Sequence, residues 1–329
     1  MKIAIDVMGG DNSPSADLDA VFEYIENPSN KPVDFFLVGN ESIIQKYLIK
    51  ENKSSDYITI INASEDISDN DRPSRVFKTK PNCSIVKAIQ LLKDDTVNAV
   101  VSSGNTGALL STSLFLVGKI NSIKRPALAP YIPSLKKGFI LCDAGANVDT
   151  KPEHLLQFAI MSQYYLKNIE NIEKPKIGLL NIGKEPGKGN ELVKQTYSLL
   201  KDEFKNNFIG NIESRYIFNE DVDIVVCDGF TGNIVLKLTE GIFSNIHNWI
   251  KKDGKENKLS IESTISNFDY EEHGGTPLLG IKGIVIKSHG SSSKKSIINS
   301  LKTAVTLHEK KLIDNIENGI LNKTSYEIQ

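Results

Sequence analysis

An open α/β fold with a mainly parallel sheet is predicted by three observations. A short Val- and Ile-rich run, a loop rich in Gly, Asn, Asp or Ser, and a helical stretch recur six times in that order. The runs show no polar alternation, as expected of strands covered by helices on both faces. The chain has 329 residues, 40% hydrophobic and 24% charged, enough for a large buried core in one big domain or two lobes.

In chain order the units are KIAID followed by VMGGDN, NAVVS by SGNTG, GFILC by DAGANVD, KIGLL by NIGKEPGKGN, VDIVV by CDGFTGN, and GIVIK by SHGSSS. The helices between them serve as crossovers. In open parallel sheets ligands bind outside the carboxyl ends of the strands, where each of these loops lies, so the six are expected to line one cleft. No Pro/Ser-rich linker, fixed-period repeat or low-complexity tract interrupts the pattern. The charged stretch KKDGKENKLS at 251–260 reads as a surface excursion.

Composition removes several classes of function. A formal net charge of −2 gives no general attraction for nucleic acid. The three cysteines, Cys83, Cys142 and Cys227, form no Cys-x-x-Cys pair, which suits a reducing, cytoplasmic compartment. Cys142 and Cys227 each close an apolar run, where a buried, inert thiol is expected. The histidines at 154, 247, 273, 289 and 308 make no His-x-x-x-His pair, so no metal is expected. Neither a G-x-G-x-x-G fingerprint nor a G-x-S-x-G elbow is present, so neither a dinucleotide cofactor nor a serine nucleophile is expected. MKIAIDVMGGD is broken by Asp6 too early for a signal peptide, and no window approaches 18 unbroken apolar residues. A membrane span is excluded, whereas lying on a membrane surface is not.

The loops themselves suggest anions. After NAVVS, Thr106 is the expected N-cap of a helix, and Ser103, Gly104, Asn105 and Gly107 then present backbone N–H groups at a helix start, either as an anion site or as a plain tight turn. The first loop adds Asp6, Gly9, Gly10 and Asp11 to the same candidate set. GKEPGKG resembles a P-loop but has three residues between Gly183 and Gly187 and a glycine after Lys188, which argues against a nucleoside triphosphatase. It is expected to carry a lysine, Lys184 or Lys188, toward an oxyanion, ahead of a helix starting near Asn190. CDGFTGN offers Asp228, Thr231, Gly232 and Asn233; the asparagine is either an oxyanion donor or an N-cap. SHGSSS offers His289, Gly290 and Ser291, with His289 either a general base or a structural or anion-contacting group. Together they suit an enzyme whose reactant is itself an anion and needs no protein nucleophile.

The blocks DVMGGDNSP, SSGNTGALL, RPALAP, DAGANVDTKPEHLLQFA, KGNEL, NFIGNIE, VVCDGFTGN, YEEHGGTPLLG and KSHGSSS, spread from residue 1 to about 305, closely resemble the bacterial phosphate acyltransferase family. The resemblance implies transfer of a fatty acyl group from acyl-[acyl carrier protein] to inorganic phosphate, with acyl phosphate passing to a membrane-bound glycerol-phosphate acyltransferase of phospholipid synthesis. It implies a fold similar to isopropylmalate dehydrogenase and phosphate acetyltransferase, two-lobed and homodimeric, with residues 1–329 as one catalytic domain. Carried over by motif, the lysine of KGNEL is Lys188 and the asparagine of FTGN is Asn233; these two are the expected catalytic pair.

A helical excursion is expected near 234–268, shorter than in many relatives. Val235, Leu238, Ile242, Ile246 and Trp249 fall on one face of it, for packing in a core or dimer or for peripheral contact with the inner face of the membrane. An acidic carrier protein needs basic surface, for which Lys119, Lys124, Arg125, Lys136 and Lys137, or Lys251, Lys252, Lys255 and Lys258, are candidates.

Overall fold

The computed structural model of the protein describes residues 1–68, 70–134, 137–219, 221–253 and 274–324, without the side chains of 247, 248, 250–253 and 322–324. The chain divides into two compact units, Met1–Ser122 with Glu271–Leu321, and Ile123–Tyr270 with Asn322–Gln329. The first unit begins β1 (Lys2–Asp6), α1 (Ser15–Glu26), β2 (Asp34–Gly39), α2 (Glu41–Lys50), β3 (Ile58–Asn62), α3 (Val76–Thr79), α4 (Ser84–Lys93), β4 (Ala99–Ser102) and α5 (Thr106–Leu116). The second holds β5 (Ala127–Leu128), β6 (Tyr131–Ile132), β7 (Phe139–Cys142), α6 (Pro152–Glu170), β8 (Ile177–Asn181), α7 (Glu191–Phe204), β9 (Phe208–Glu213), β10 (Ile224–Val226) and α8 (Gly229–Asp253). The chain then completes the first unit with β11 (Thr276–Leu279), β12 (Ile284–Lys287), α9 (Lys294–Glu309) and α10 (Leu312–Thr324).

All six predicted units appear as strand, loop and helix: β1 to α1, β4 to α5, β7 to α6, β8 to α7, β10 to α8 and β12 to α9. Their strands run through the cores, with every residue of β4, β7, β8 and β10 buried. Burial on both faces explains the missing polar alternation. The first unit's strands follow the order β3-β2-β1-β4-β12-β11, parallel except at β11, and the second unit's follow β6-β7-β10-β8-β9, parallel except at β6.

The six-unit pattern passes over β2 and β3. Asn40 follows β2 at once and caps α2 by accepting from Ile43 N at 3.2 Å, so no glycine loop marks the junction. β3 lies at the sheet edge and is only half covered, so its burial signal is weak.

Candidate functional site

In the first unit the candidate residues leave three neighbouring strands at one level. Asp6 of β1 and Lys287 of β12 are both in register with Ser102 of β4. The loops that follow are tied together: Asp11 N donates to Gly290 O at 2.8 Å, and Asn12 Nδ2 donates to the carbonyls of Ser291 and Ser292 at 3.2 and 3.3 Å. Gly9 lies so close to the backbone of Gly104 that a Cβ there would stand 2.6 Å from its N and Cα, so no side chain fits. A Cβ on Gly10 would meet Gly290 O and Ser103 Cβ, both at 3.0 Å.

Most polar groups here serve the loops themselves. Asp6 is fully buried and accepts from Ser102 Oγ at 2.7 Å and Met8 N at 3.2 Å; burial raises its pKa, and hydrogen bonds from Ser84 and Ser102 work against that shift. Asp6 thereby ties the end of β1 to the end of β4. Gly104 N–H is taken by Ser102 Oγ at 3.0 Å. The cap of α5 is Asn105, whose Oδ1 accepts from Ala108 N at 3.0 Å, one residue before the expected Thr106. Among the described residues the N–H groups of Thr106 and Gly107 donate to no such partner and stay open at the helix start. Ser291 N–H points at His289 Nδ1 at 3.2 Å, which makes Nδ1 the acceptor and puts the proton of the neutral ring on Nε2. Ser291 Oγ lies 2.8 Å from the same nitrogen, so Nδ1 is engaged within the loop.

The second unit also gathers its candidates on neighbouring strands. β10 lies between β7 and β8, and Val226 is in register with Cys142 and Leu179. The loop after β8 carries Lys184 and Lys188. Lys184 Nζ stands 4.9 Å over the Tyr216 ring, a cation–π contact that occupies it. Lys188 is exposed, and its ammonium makes no hydrogen bond or ion pair among the described residues. Asn181, missed in the sequence, braces this loop: Nδ2 donates to Lys188 O at 3.0 Å and Oδ1 accepts from Ile182 N at 2.8 Å. Asn211 Nδ2 adds a bond to Glu185 O at 2.9 Å. Asn190 caps α7 as expected, accepting from Val193 N at 3.0 Å.

After β10 the cap of α8 is Asp228, which accepts from Thr231 N and Thr231 Oγ1, both at 2.8 Å. Asp228 and Thr231 are thus spent on the helix start. Asn233 is not the cap; it lies one turn into α8, half-buried, and its amide makes no hydrogen bond among the described residues. The cysteines are all buried, and burial pushes each thiol up, so none is a ready nucleophile.

Along α8 the exposed apolar stripe is Phe230, Ile234, Leu238, Ile242, Ile246 and Trp249, with exposures between 38% and 67%. Val235, expected on that face, is half-buried, and Phe230 and Ile234 widen the exposed stripe. The excursion beyond 253 lies outside the described residues. Of the expected basic patches, Lys124 pairs with Glu153 at 3.7 Å, and Lys137 with Asp223 at 2.7 Å and Asp221 at 3.2 Å. Lys136, Lys255 and Lys258, with the side chains of Lys251 and Lys252, lie outside the described residues.

Comparison with known proteins gives these loops a setting. The family described as "Fatty acid synthesis protein" matches residues 1–315. A phosphate acyltransferase of Halothermothrix orenii is 45% identical over 332 residues, covering 97% of this chain and 98% of the relative. One from Clostridium perfringens SM101 is 42% identical over 334 residues, covering 98% of each. Among solved structures the chain is similar in fold to the Staphylococcus aureus phosphotransacetylase EutD, with TM-score 0.62, 15% identity and 94% of each chain covered. It is likewise similar to a Streptococcus pyogenes phosphotransacetylase, with TM-score 0.61, 17% identity and coverage of 97% and 94%. With identity above 40% along almost its whole length, the chain belongs to the bacterial phosphate acyltransferase family.

Proposed function

We propose that this acyltransferase moves a fatty acyl group from acyl-[acyl carrier protein] to inorganic phosphate, giving acyl phosphate for phospholipid synthesis. The observation that carries the reading is the pair of uncommitted polar ends, Lys188 on the loop after β8 and Asn233 in the helix after the neighbouring strand β10, with every cysteine buried. A phosphate oxygen attacks the thioester carbonyl, whose oxygen takes up the electron pair. The Asn233 amide N–H donates to that oxyanion, and the Lys188 ammonium neutralises charge on it or on the attacking phosphate. The carbonyl reforms as the C–S bond breaks, and the carrier leaves as a thiolate that takes a proton from solvent. The open N–H groups of Thr106 and Gly107, with His289, Gly290 and Ser291, are assigned to anion binding.

An acidic carrier suits the basic segment before α4. Arg72, Arg75 and Lys78 are exposed and have no acidic partner among the described residues, unlike Lys124 and Lys137. The apolar stripe of α8 is assigned to a second copy of the chain in a homodimer. No helix among the described residues is long and apolar enough to cross a membrane. Any delivery of product to a membrane-bound glycerol-phosphate acyltransferase would then run through surface contact.

The deciding measurement is release of free carrier thiol from a long-chain acyl-[acyl carrier protein], with and without phosphate, beside the matched acyl-coenzyme A. Phosphate-dependent release from the carrier donor supports the reading. Release from the coenzyme A thioester alone would replace the donor, and no release from either would remove the catalytic role of both loops.

A further inference from the structure

We infer that Asp143 is a positioning residue that holds Asn233 in place through the loop 143–147. The inference rests on the reading of Asn233 as the oxyanion donor. Asp143 follows β7, is fully buried, and spends both carboxylate oxygens on its own loop and on the end of β5. Oδ1 accepts from Leu128 N and Ala146 N, each at 3.0 Å. Oδ2 accepts from Asn147 N at 2.7 Å and Asn147 Nδ2 at 2.8 Å. With four donors aimed at it, this carboxylate has no lone pair left to act as a base toward substrate, and its work is to shape the chain around it.

That chain is the seat of α8. Asn147 O accepts from Gly229 N, the first residue of the helix, at 2.8 Å, and Asn147 Nδ2 also reaches Pro126 O at 2.7 Å. Asp143 N donates to Cys227 O at 3.0 Å, and Cys227 N donates to Cys142 O at 2.9 Å, so the strand ends before the loop and before the helix are joined. The first turn then lies directly on the loop. A Cβ on Gly232 would stand 1.9 Å from Asp143 O, and one on Gly229 would stand 2.5 Å from Asn147 O. Gly145 completes the arrangement, its ideal Cβ position lying 3.4 Å from Cβ and Cγ of Asn233 and 3.5 Å from its Oδ1. The backbone position of Asn233 is therefore set by the helix seat, and the absence of a side chain at Gly145 leaves the space beside its amide open. That seat is set by Asp143, which itself reaches no reacting atom. An oxyanion donor displaced by about 1 Å loses on the order of 100-fold in rate, so such bracing bears directly on turnover.

The test is a double-mutant cycle on the full chain with acyl-[acyl carrier protein] and phosphate, using Asp143→Asn, Asn147→Ala, Asn233→Ala and the two doubles. Asn147→Ala removes the side-chain bonds to Asp143 and Pro126 but keeps the carboxylate, so it reports if Asp143→Asn does not fold. Asp143→Asn is expected to lower kcat about 30-fold and Asn147→Ala about 10-fold, with KM for both substrates within about 3-fold of the parent. Each double is expected to be no slower than Asn233→Ala alone, because a brace has nothing to hold once the amide is gone. If Asn233→Ala is slow and the second changes multiply with it, the positioning role is overturned while the role of Asn233 stands. If Asn233→Ala turns over like the parent, both fall together.

Discussion

After β1, β4 and β12 the polar side chains are largely consumed by one another, whereas after β8 and β10 the side chains of Lys188 and Asn233 end without a partner among the described residues. Both regions are built from glycine-rich loops at strand ends, and in the sequence they look alike. The difference teaches that a glycine loop is a means of bringing backbones together, and that chemistry is marked by the side chain the loop leaves unspent. Changes to the loop-bracing side chains of the first region, such as Asp6, Ser102 and Asn105, should therefore register as stability, and changes to Lys188 and Asn233 as rate.

The sharpest way to break that contrast is to remove the two unspent groups. Asn233→Ala is expected to lower kcat by about 100- to 1,000-fold, and Lys188→Ala by about 100-fold with a higher KM for phosphate, both with unchanged melting temperature. Turnover within a few fold of the parent in steady-state assays would remove the distinction between the regions.

A next effect is expected in the first unit, at Asp17. Burial raises its pKa to about 7, Ser13 Oγ donates to it at 2.5 Å, and Asp6 adds a further upward push. The folded value lies above the unfolded one, so the neutral acid stabilises the fold fully below about pH 4, and that contribution is lost as pH rises to about 7. Asp17→Asn should flatten this decline, a change of a few kcal/mol across the window, with kcat nearly unaltered. Urea midpoints of the two proteins taken at several pH values supply the check; parallel curves would contradict it.

Gly9→Ala drives a Cβ against the Gly104 backbone and is expected to cost about 1–3 kcal/mol of stability. An unchanged unfolding midpoint would mean that the two loops can part freely. The smallest effect belongs to Lys184→Ala. Because its ammonium rests over Tyr216, activity is expected within about 2-fold of the parent, and a loss as large as that of Lys188→Ala would show that the wrong lysine has been assigned.

How far the sequence was legible follows from which interactions are local. The six strands stood out because burial on both faces strips out polar alternation, and Asn190 stood out because a cap bonds to a residue three positions on. The cap of α5 was misplaced by one residue because Asn and Thr are both good caps and adjacent; the bond to Ala108 N decides for Asn105. Asp143 and Asn181 carry no spacing signal, since their partners are backbone groups that only the folded loop presents. The ion pairs of Lys137 were invisible for a similar reason: Asp221 and Asp223, far along the chain, reach it only in the fold.

One consequence lies in α8 itself. The same rod carries Asn233 in its second turn and, along its outer side, the apolar residues from Ile234 to Trp249. Whatever settles on that outer side grips a lever whose short arm carries Asn233, the proposed oxyanion donor. To the extent that such seating tilts the lever, substrate and surface partner become coupled ligands, and the factor by which the partner changes substrate affinity is the factor by which substrate changes the partner's.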